Sequence, residues 1–343
     1  MDDAPSATRR KRPTQADVAR LAAVSQPVVS HVLNPGALAP VAPETRRRVL
    51  EAIERLGYVP DRAARSLRTR KTFTIAGIIP DITNAFYPMF VRGIQDRAER
   101  LGYDLVIYNT DGETEKETRF VELAQGRVDG IVAVFFHRTA NDLRPLLDRQ
   151  IAVVRLEAKP REVGPLPLDS LFVDNVAAAR DAVAFLLGRG HRRIAMIVGR
   201  GGPRQPRVLG YRRALVEHGL AVEPDLLRET EFVEGGGYEA MRELLLLSPR
   251  PTAVFAANDL LAMGALVALQ ETGLQVPDDV AVVGFDDIPA ARLVHPPLTT
   301  VAQFPQQLGQ RAAELLFERL SGAAPQGGRC EESPYELVVR KSA

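Results

Sequence analysis

Hydrophobic positions follow two different spacings along this 343-residue chain. Between residues 15 and 57, apolar residues recur every three or four positions, which predicts three short helices at residues 15–22, 26–33 and 43–57. From residue 73 onward, short apolar runs alternate with amphipathic segments, which predicts strands alternating with helices. The pattern therefore predicts a small helical head followed by a large α/β body.

The second predicted helix contains a proline, and its position explains why it is tolerated. Pro27 is the second residue of the helix, where the backbone amide has no intrahelical acceptor. Ser25 is a suitable N-cap, and its hydroxyl is expected to accept a hydrogen bond from the Val28 amide. Residues four apart share a helix face, so a polar stripe opposite the apolar one is expected to contain Gln26, Pro27, Ser30 and His31.

Charge divides the chain in the same way as hydrophobicity. Residues 1–71 hold 14 Lys and Arg against 7 Asp and Glu, whereas the whole chain has a net charge of only +1. A basic helical head with a polar second helix is typical of a helix-turn-helix unit that binds double-stranded DNA. The alternative is a small helical bundle with a solvated face.

The body predicts two doubly wound parallel-sheet subdomains. Strands are expected at residues 73–81, 104–110, 130–136 and 151–157, and a second series continues to about residue 286, with helices between them. The expected fold class is therefore an all-α helix-turn-helix head plus an α/β core of two such subdomains, whose strand ends open on a shared cleft.

The sequence lacks the signatures of several other protein classes. The segment GRGGPR at residues 199–204 has the wrong spacing for a dinucleotide-binding loop, and neither a G-x-S-x-G motif nor a phosphate-binding loop is present. Cys330 is the single cysteine, no Cys/His cluster has metal-ligand spacing, and no apolar stretch reaches membrane-spanning length. We expect a non-enzymatic protein without cofactor or metal that does not contact a membrane and lies in the cytoplasm.

The head closely resembles the lactose/galactose repressor (LacI/GalR) family of transcription regulators. The resemblance is carried by TQADVARLAAVSQPVVSHVLN and by VAPETRRRVLEAIERLGYVPDRAARSLRTRKT. It implies base contacts in the major groove from Gln26, Pro27 and His31, and backbone contacts from Thr14, Ser30, Asn34 and Thr45, beside the cap residue Ser25. Ala23 replaces the family's turn glycine, and His31 replaces its usual arginine, so we expect an altered operator base pair under His31.

The segment DRAARSLRTRKT after Pro60 has too little apolar surface to hold a helix alone. The resemblance implies that it folds only on DNA, pairs with its twin in the dimer, and inserts Leu67 into the minor groove. Arg62, Arg65 and Arg68 would then contact the flanking phosphates. The alternative is a flexible linker.

The body resembles the effector-binding core of the same family, which is itself similar to periplasmic sugar-binding proteins. The resemblance is carried by phrases such as PDITNAFYPMFVRGI, AVFAANDLLAMGAL and VPDDVAVVGFDD. It implies effector contacts from Asp81, Asn84, Phe86, Glu157, Arg207, Phe232, Asn258, Asp286 and Gln303. A purely structural role as turn or strand-end residues stays open for each of them, and a nucleobase or phosphorylated sugar stays open beside a sugar.

These observations favour a transcription regulator, most simply a repressor, whose DNA binding is controlled by a small molecule. Only three residues follow the final segment YELVVR, so we do not expect the extra leucine-heptad helix of tetrameric members. We expect a homodimer that binds a pseudo-palindromic operator. The alternative is a solute-binding protein of a transport system, which the basic head disfavours.

The chain is expected to divide into four regions. They are an arm at 1–13, the DNA-binding domain at 14–60, a hinge segment at 61–72, and a core at 73–343. Within the core, the subdomains are expected at about 73–173 plus 304–332 and at about 174–303 plus 333–340.

Overall fold

The computed structural model describes residues 13–33, 41–59, 71–124 and 126–343. The chain divides into two compact units between Lys71 and Thr72. The first unit is helical, and the second combines helices with two sheets, which agrees with the predicted fold class. The finer domain boundaries stay predictions, and most of the proposed arm and hinge segment lies outside the described residues.

The helical unit contains α1 (Gln15–Leu21), α2 (Gln26–Leu33) and α3 (Pro43–Leu56). Helix α1 begins at a capping box, in which the Asp17 amide donates to the Thr14 hydroxyl at 3.3 Å and the Thr14 amide donates to the Asp17 carboxylate at 2.9 Å. The three helices enclose a small core that contains Val18, Ala19, Ala22, Val29, Val32, Val49 and Ala52.

The turn between α1 and α2 places Ala23 in the left-handed region, with a φ of 51°. An alanine is strained there because its Cβ crowds the backbone, whereas glycine is not. The Val28 amide donates to the carbonyl oxygen of Ser25 at 3.0 Å, and the expected bond to the Ser25 hydroxyl is not found among the described residues. The backbone carbonyl already satisfies this amide in the first turn, so the hydroxyl does not cap it.

The second unit follows the predicted alternation of strands and helices. Its strands are β1 (Thr74–Ile79), β2 (Asp104–Asn109), β3 (Gly130–Ala133), β4 (Ala152–Glu157), β5 (Leu168–Val173), β6 (Ile194–Gly199), β7 (Leu227–Thr230), β8 (Ala253–Ala256), β9 (Ala281–Asp286), β10 (Thr299–Ala302), β11 (Cys330–Ser333) and β12 (Glu336–Val338). Its helices are α4 (Phe86–Arg100), α5 (Thr114–Leu123), α6 (Arg144–Leu147), α7 (Asn175–Gly188), α8 (Arg204–Glu217), α9 (Glu234–Leu245), α10 (Asp259–Glu271) and α11 (Pro305–Leu320).

The strands form two six-stranded sheets. The first has the order β11-β5-β4-β3-β1-β2 with all strands parallel, and the second has the order β12-β10-β9-β8-β6-β7 with only β12 antiparallel. We call the parts built on them the first and second subdomains. Parallel strands buried on both faces need continuous apolar runs, which explains why β6 (IAMIVG) and β8 (AVFA) are fully buried.

The chain passes between the two sheets three times. It leaves the first sheet after β5, returns after β10 to form α11 on the first sheet, and leaves again after β11 to form β12. Each crossover is short, since one or two residues separate the flanking elements. Short crossovers at one side of two sheets are typical of a hinge between subdomains.

Three helix pairs pack so closely that only glycine fits at the contact. A Cβ on Gly93 of α4 or on Gly309 of α11 would collide with the backbone of the other helix of that pair. Gly237 of α9 and Gly264 of α10 lie in the same relation to each other's helix. In the second subdomain, a Cβ on Gly210 of α8 would likewise collide with the backbone of α7. Both subdomains therefore contain tightly joined helices. In the described residues, no helix combines the length and the apolar character that crossing a bilayer requires.

Candidate functional site

The N-terminal part of α2 and the residue before it present a polar surface. Ser25, Gln26, Pro27 and His31 are exposed on it, and Thr14 is exposed at the start of α1. Thr45 is half-buried in the first turn of α3. The roles predicted for these side chains stay predictions. The other predicted contact residues, Asn34, Arg62, Arg65, Leu67 and Arg68, lie outside the described residues.

Ser30 does not belong to the exposed stripe in which the sequence analysis put it. Only 9% of its surface is exposed. Successive residues of a helix are about 100° apart, so Ser30 lies on the flank of the apolar face next to Val29 rather than opposite it. The exposed face of α2 is therefore narrower than the four-residue spacing suggested.

Several basic side chains near this surface are paired with acids. Arg47 of α3 contacts Glu44 at 2.6 Å and Glu51 at 2.8 Å, and Arg20 of α1 contacts Asp17 at 3.1 Å. These pairs are exposed, so each contributes little to stability. They orient the basic side chains on the helix surface while leaving them open to water.

A cavity of about 920 Å³ lies between the two subdomains. All nine residues predicted to contact an effector line it. They converge because most of them follow the carboxyl ends of parallel strands: Asp81 follows β1, Asn258 follows β8, and Asp286 ends β9. Residues at these ends share one edge of each sheet, which is the usual ligand-binding edge of such folds. The roles of these residues as ligand contacts stay predictions.

Arg207 of α8 forms the polar floor of the cavity on the second subdomain. It is only 4% exposed, and its Nε donates to Oδ1 of Asn175 at 2.8 Å. Its Nη1 donates to the carbonyl of Ala257, and the guanidinium lies 3.7 Å from the ring centre of Phe285. Burial lowers the pKa of Arg207 to about 10, so the group is charged at neutral pH.

Asp286 faces Arg207 at the end of β9. Its Oδ1 lies 3.8 Å from Nη2 of Arg207 and accepts a hydrogen bond from Nε2 of Gln303 at 2.6 Å. The φ of Asp286 is 120°, which is strained for a residue with a side chain. Burial raises its pKa to about 6, against the opposing effect of Arg207 and Gln303.

Asn258 supplies an unpaired donor to the same region. Its Oδ1 accepts from the Leu261 amide at 2.9 Å and caps α10, while its Nδ2 is buried and has no hydrogen-bond partner among the residues that the structure describes. A buried donor without a partner is costly and normally has a ligand or water. The Phe232 ring, which also lines the cavity, packs against the backbone of Gly199. An apolar surface next to fixed donors and acceptors suits a polyhydroxylated ring.

The first subdomain contributes a turn after β1 and the end of β4. Asp81 accepts hydrogen bonds from the amide and hydroxyl of Thr83 at 2.8 and 2.6 Å, and Asn84 accepts from the Phe86 amide at 3.1 Å. Asp81 and Asn84 therefore shape the turn that positions Phe86, so the structural role left open for them is fulfilled and a ligand contact stays a prediction.

Glu157 ends β4 between two arginines, Arg155 at 2.9 Å and Arg161 at 3.0 Å. Burial raises the pKa of Glu157, although both cations act against this shift. The side chain lines the cavity opposite the second subdomain.

Several residues that line the cavity were not predicted from the sequence, among them Asn175 and Phe136. Asn175 follows β5 at the first crossover, and Phe136 follows β3. The signal for Asn175 was its position two residues after the buried run LDSLFV, which was not predicted to be a strand. Phe136 was placed inside a strand at residues 130–136, but β3 ends at Ala133.

Two family models match the chain. Residues 14–61 match the model for bacterial regulatory proteins of the lacI family, and residues 183–343 match the model for periplasmic binding protein-like domains. The chain is 39% identical over 336 residues to the ribose operon repressor of Escherichia coli (strain K12), a match that covers 96% of this chain and 99% of the relative. It is 38% identical over 332 residues to catabolite control protein A of Priestia megaterium, covering 95% and 98%.

Solved structures agree with these matches. The lac repressor dimer bound to operator and the anti-inducer ONPF has a TM-score of 0.82 at 28% identity, over 97% of this chain and 99% of that one. A complex of the transcriptional regulator CelR with cellobiose has a TM-score of 0.70 at 34% identity, over 97% and 100%. The similarity thus extends over both the helical unit and the core.

Proposed function

The chain belongs to the lacI family of bacterial regulatory proteins, and we propose that it represses transcription from a pseudo-palindromic operator under the control of a polyhydroxylated ligand in the core cavity. The observation that carries the proposal is the convergence of nine side chains from both subdomains on one cavity. A ligand that touches both sides of a hinged cleft favours one angle between them.

The chemistry of the cavity supports a sugar or a sugar derivative as the ligand. Arg207 and Asp286 can each engage two adjacent hydroxyl groups, and the free Nδ2 of Asn258 requires an acceptor. The aromatic rings of Phe86 and Phe232 offer apolar surfaces for the C–H face of a ring. Solved relatives with cellobiose and with ribose bound support the same ligand class.

On DNA, the exposed edge of α2 enters the major groove, and the protein acts as a homodimer on two half-sites. Gln26, Pro27 and His31 read bases, whereas Thr14, Ser25, Asn34 and Thr45 contact the phosphate backbone of the DNA. Arg62, Arg65 and Leu67 engage the centre of the operator. The dimeric lac repressor bound to its operator supports this arrangement, since the similarity covers 97% of this chain.

The ligand acts on DNA binding through the angle between the subdomains. Changing this angle alters the spacing of the two hinge segments in the dimer and therefore their fit to the operator. Such coupling between two sites typically changes affinity by about 5- to 150-fold.

The cavity is proposed to bind its ligand without transforming it. Its titratable groups are engaged with one another, as Arg207 is with Asp286 and Glu157 is with Arg155 and Arg161. None of the described lining residues forms a paired nucleophile and base. Mass spectrometry of a bound sugar recovered after prolonged incubation should therefore return it unchanged.

Fluorescence anisotropy with duplexes selected from random DNA tests the proposal. We expect a preferred palindrome, and we expect that one member of a panel of sugars and nucleobases changes its affinity at least about fivefold. Asp286→Asn should abolish the response to the ligand while keeping operator binding, and His31→Ala should weaken operator binding while keeping ligand-induced thermal stabilisation. Equal binding to all duplexes, or a response that survives Asp286→Asn, would overturn the proposal.

A further inference from the structure

Phe136 occupies an unusual position at the cavity. It follows β3 in the first subdomain and lines the cavity half-buried. A Cβ placed on Gly202, in the loop after β6 of the second subdomain, would lie 2.8 Å from Cζ of the Phe136 ring. The ring therefore crosses the cleft and contacts the backbone of the opposite subdomain.

Glycines surround the ring on both sides of the cleft. A Cβ on Gly112 of the first subdomain would lie 3.1 Å from Cδ2 of Phe136, and one on Gly201 of the second would lie 3.6 Å from the same atom. Gly202 has a φ of 49°, so a side chain there would be strained as well as crowded. The loops on both sides thus form a slot that accepts an aromatic ring.

A buried carboxylate fixes the loop that carries Phe136. Glu117 of α5 is fully buried, and its Oε1 accepts from the Phe136 amide at 2.7 Å while its Oε2 accepts from the His137 amide at 3.1 Å. Arg138 lies 3.6 Å from the same carboxylate, and Nε2 of His137 lies 2.9 Å from the carbonyl oxygen of Gly112. A buried carboxylate satisfied by two consecutive amides holds the backbone in one conformation. Glu117 is therefore a positioning residue for the ring.

We propose that Phe136 is a specificity-determining residue, which closes one end of the cavity by packing across the cleft against Gly202 and so limits the length of the ligand. The inference rests on the ligand-binding function proposed above. A ligand longer than the closed cavity must displace the ring from its slot, and displacement breaks a contact between the two subdomains. Small ligands leave this contact in place.

Hydrogen exchange of the ligand-free full-length protein tests the cross-cleft contact without knowledge of the ligand. In Phe136→Ala we expect amides of residues 200–203 in the opposite subdomain to exchange at least about tenfold faster, because their cover is lost. Phe136→Tyr should restore protection, and Thr139→Ala on the same loop is the control that should leave residues 200–203 unchanged. Glu117→Gln should reproduce part of the effect, because its amide group cannot accept from both backbone amides.

The limit on ligand length is tested by thermal shift with glucose, cellobiose and cellotriose, and with galactose and lactose. We expect Phe136→Ala to bind a longer member of a series at least about tenfold more tightly than the native protein does. Unaltered exchange at residues 200–203 in Phe136→Ala, or an unaltered preference for length across both series, would overturn the inference. Because the exchange measurement needs no sugar, its failure is distinct from failure of the proposed function, which would appear as no thermal shift with any of these sugars in either protein.

Discussion

Nε of Arg207 donates a hydrogen bond to Oδ1 of Asn175, 2.8 Å away, and this bond ties the floor of the cavity to the first crossover between the subdomains. Nδ2 of Asn175 donates in turn to the carbonyl of Ala158, at the end of the first subdomain's β4, at 3.0 Å. Gln303 at the second crossover likewise donates to Asp286. Arg207 and Asp286, the two side chains best placed to hold a ligand, are therefore each anchored to a crossover between the subdomains.

Replacing Asn175 should destabilise the core strongly. Asn175→Leu leaves a buried guanidinium without one of its acceptors, which should lower the free energy of unfolding by about 3 kcal/mol. Urea denaturation measures the change, and Asn141→Leu at an exposed position is the matched control. A loss of less than about 0.5 kcal/mol for Asn175→Leu would show that the bond does not stabilise the core.

Asp286 should make the stability of the core depend on pH. Its folded-state pKa of about 6 lies above the value of 3.8 expected in the unfolded chain, so the native state binds the proton more tightly and loses stability as pH rises from about 4 to 6. Asp286→Asn removes this loss. The free energy of unfolding of the variant, relative to that of the native protein, should therefore be about 1 kcal/mol higher at pH 7 than at pH 5, as urea denaturation at both values would measure. An equal difference at both values would contradict the raised pKa.

Ala23→Gly should stabilise the helical unit. The φ of 51° at Ala23 strains an alanine but not a glycine, which corresponds to about 1 kcal/mol. Hydrogen exchange of amides in α1 and α2 of the full chain should slow about fivefold. Ala22→Gly is the control, since Ala22 has a φ of −80° and is buried, so exchange should become faster there. Faster exchange in Ala23→Gly would mean that the strain at this turn is not significant.

His31→Arg should change the preferred operator. Arg can donate two hydrogen bonds to guanine, whereas a neutral histidine offers one donor and one acceptor. Selection from random duplexes should show a new preference for guanine at one position in each half-site. His218→Arg, at an exposed position of the core, should leave the selected sequence unchanged. The same palindrome selected by His31→Arg and by the native protein would exclude His31 from base reading.

The periodicity of the sequence predicted the fold well where burial alone decides structure. Helix α2 has the predicted bounds, and α3 begins at Pro43 as expected. The strands β5, β10 and β11 and the helix α11 were not predicted individually. They adjoin the crossovers, where the sheet to which a segment belongs depends on contacts with distant parts of the chain.

The candidate site was predictable only in part for a related reason. Strand ends and the family resemblance pointed to residues such as Asp286 and Asn258. Phe136 was not predicted because the apolar run continues to residue 136 and was read as a strand to that point. In the structure, Glu117, 19 residues earlier, accepts a hydrogen bond from the Phe136 amide, and the chain turns away from β3. Hydrophobic spacing contains no information about such a long-range hydrogen bond.

The glycine contacts between α4 and α11, and between α9 and α10, decide what happens to the free energy released when a ligand binds. Interfaces without room for even one methyl group cannot absorb that energy by rearranging. The energy therefore rotates one rigid subdomain relative to the other. The signal from ligand to DNA therefore depends on glycine contacts that touch neither of them. An alanine at Gly309 or Gly264 is expected to weaken the signal even in a protein that still folds and binds both partners.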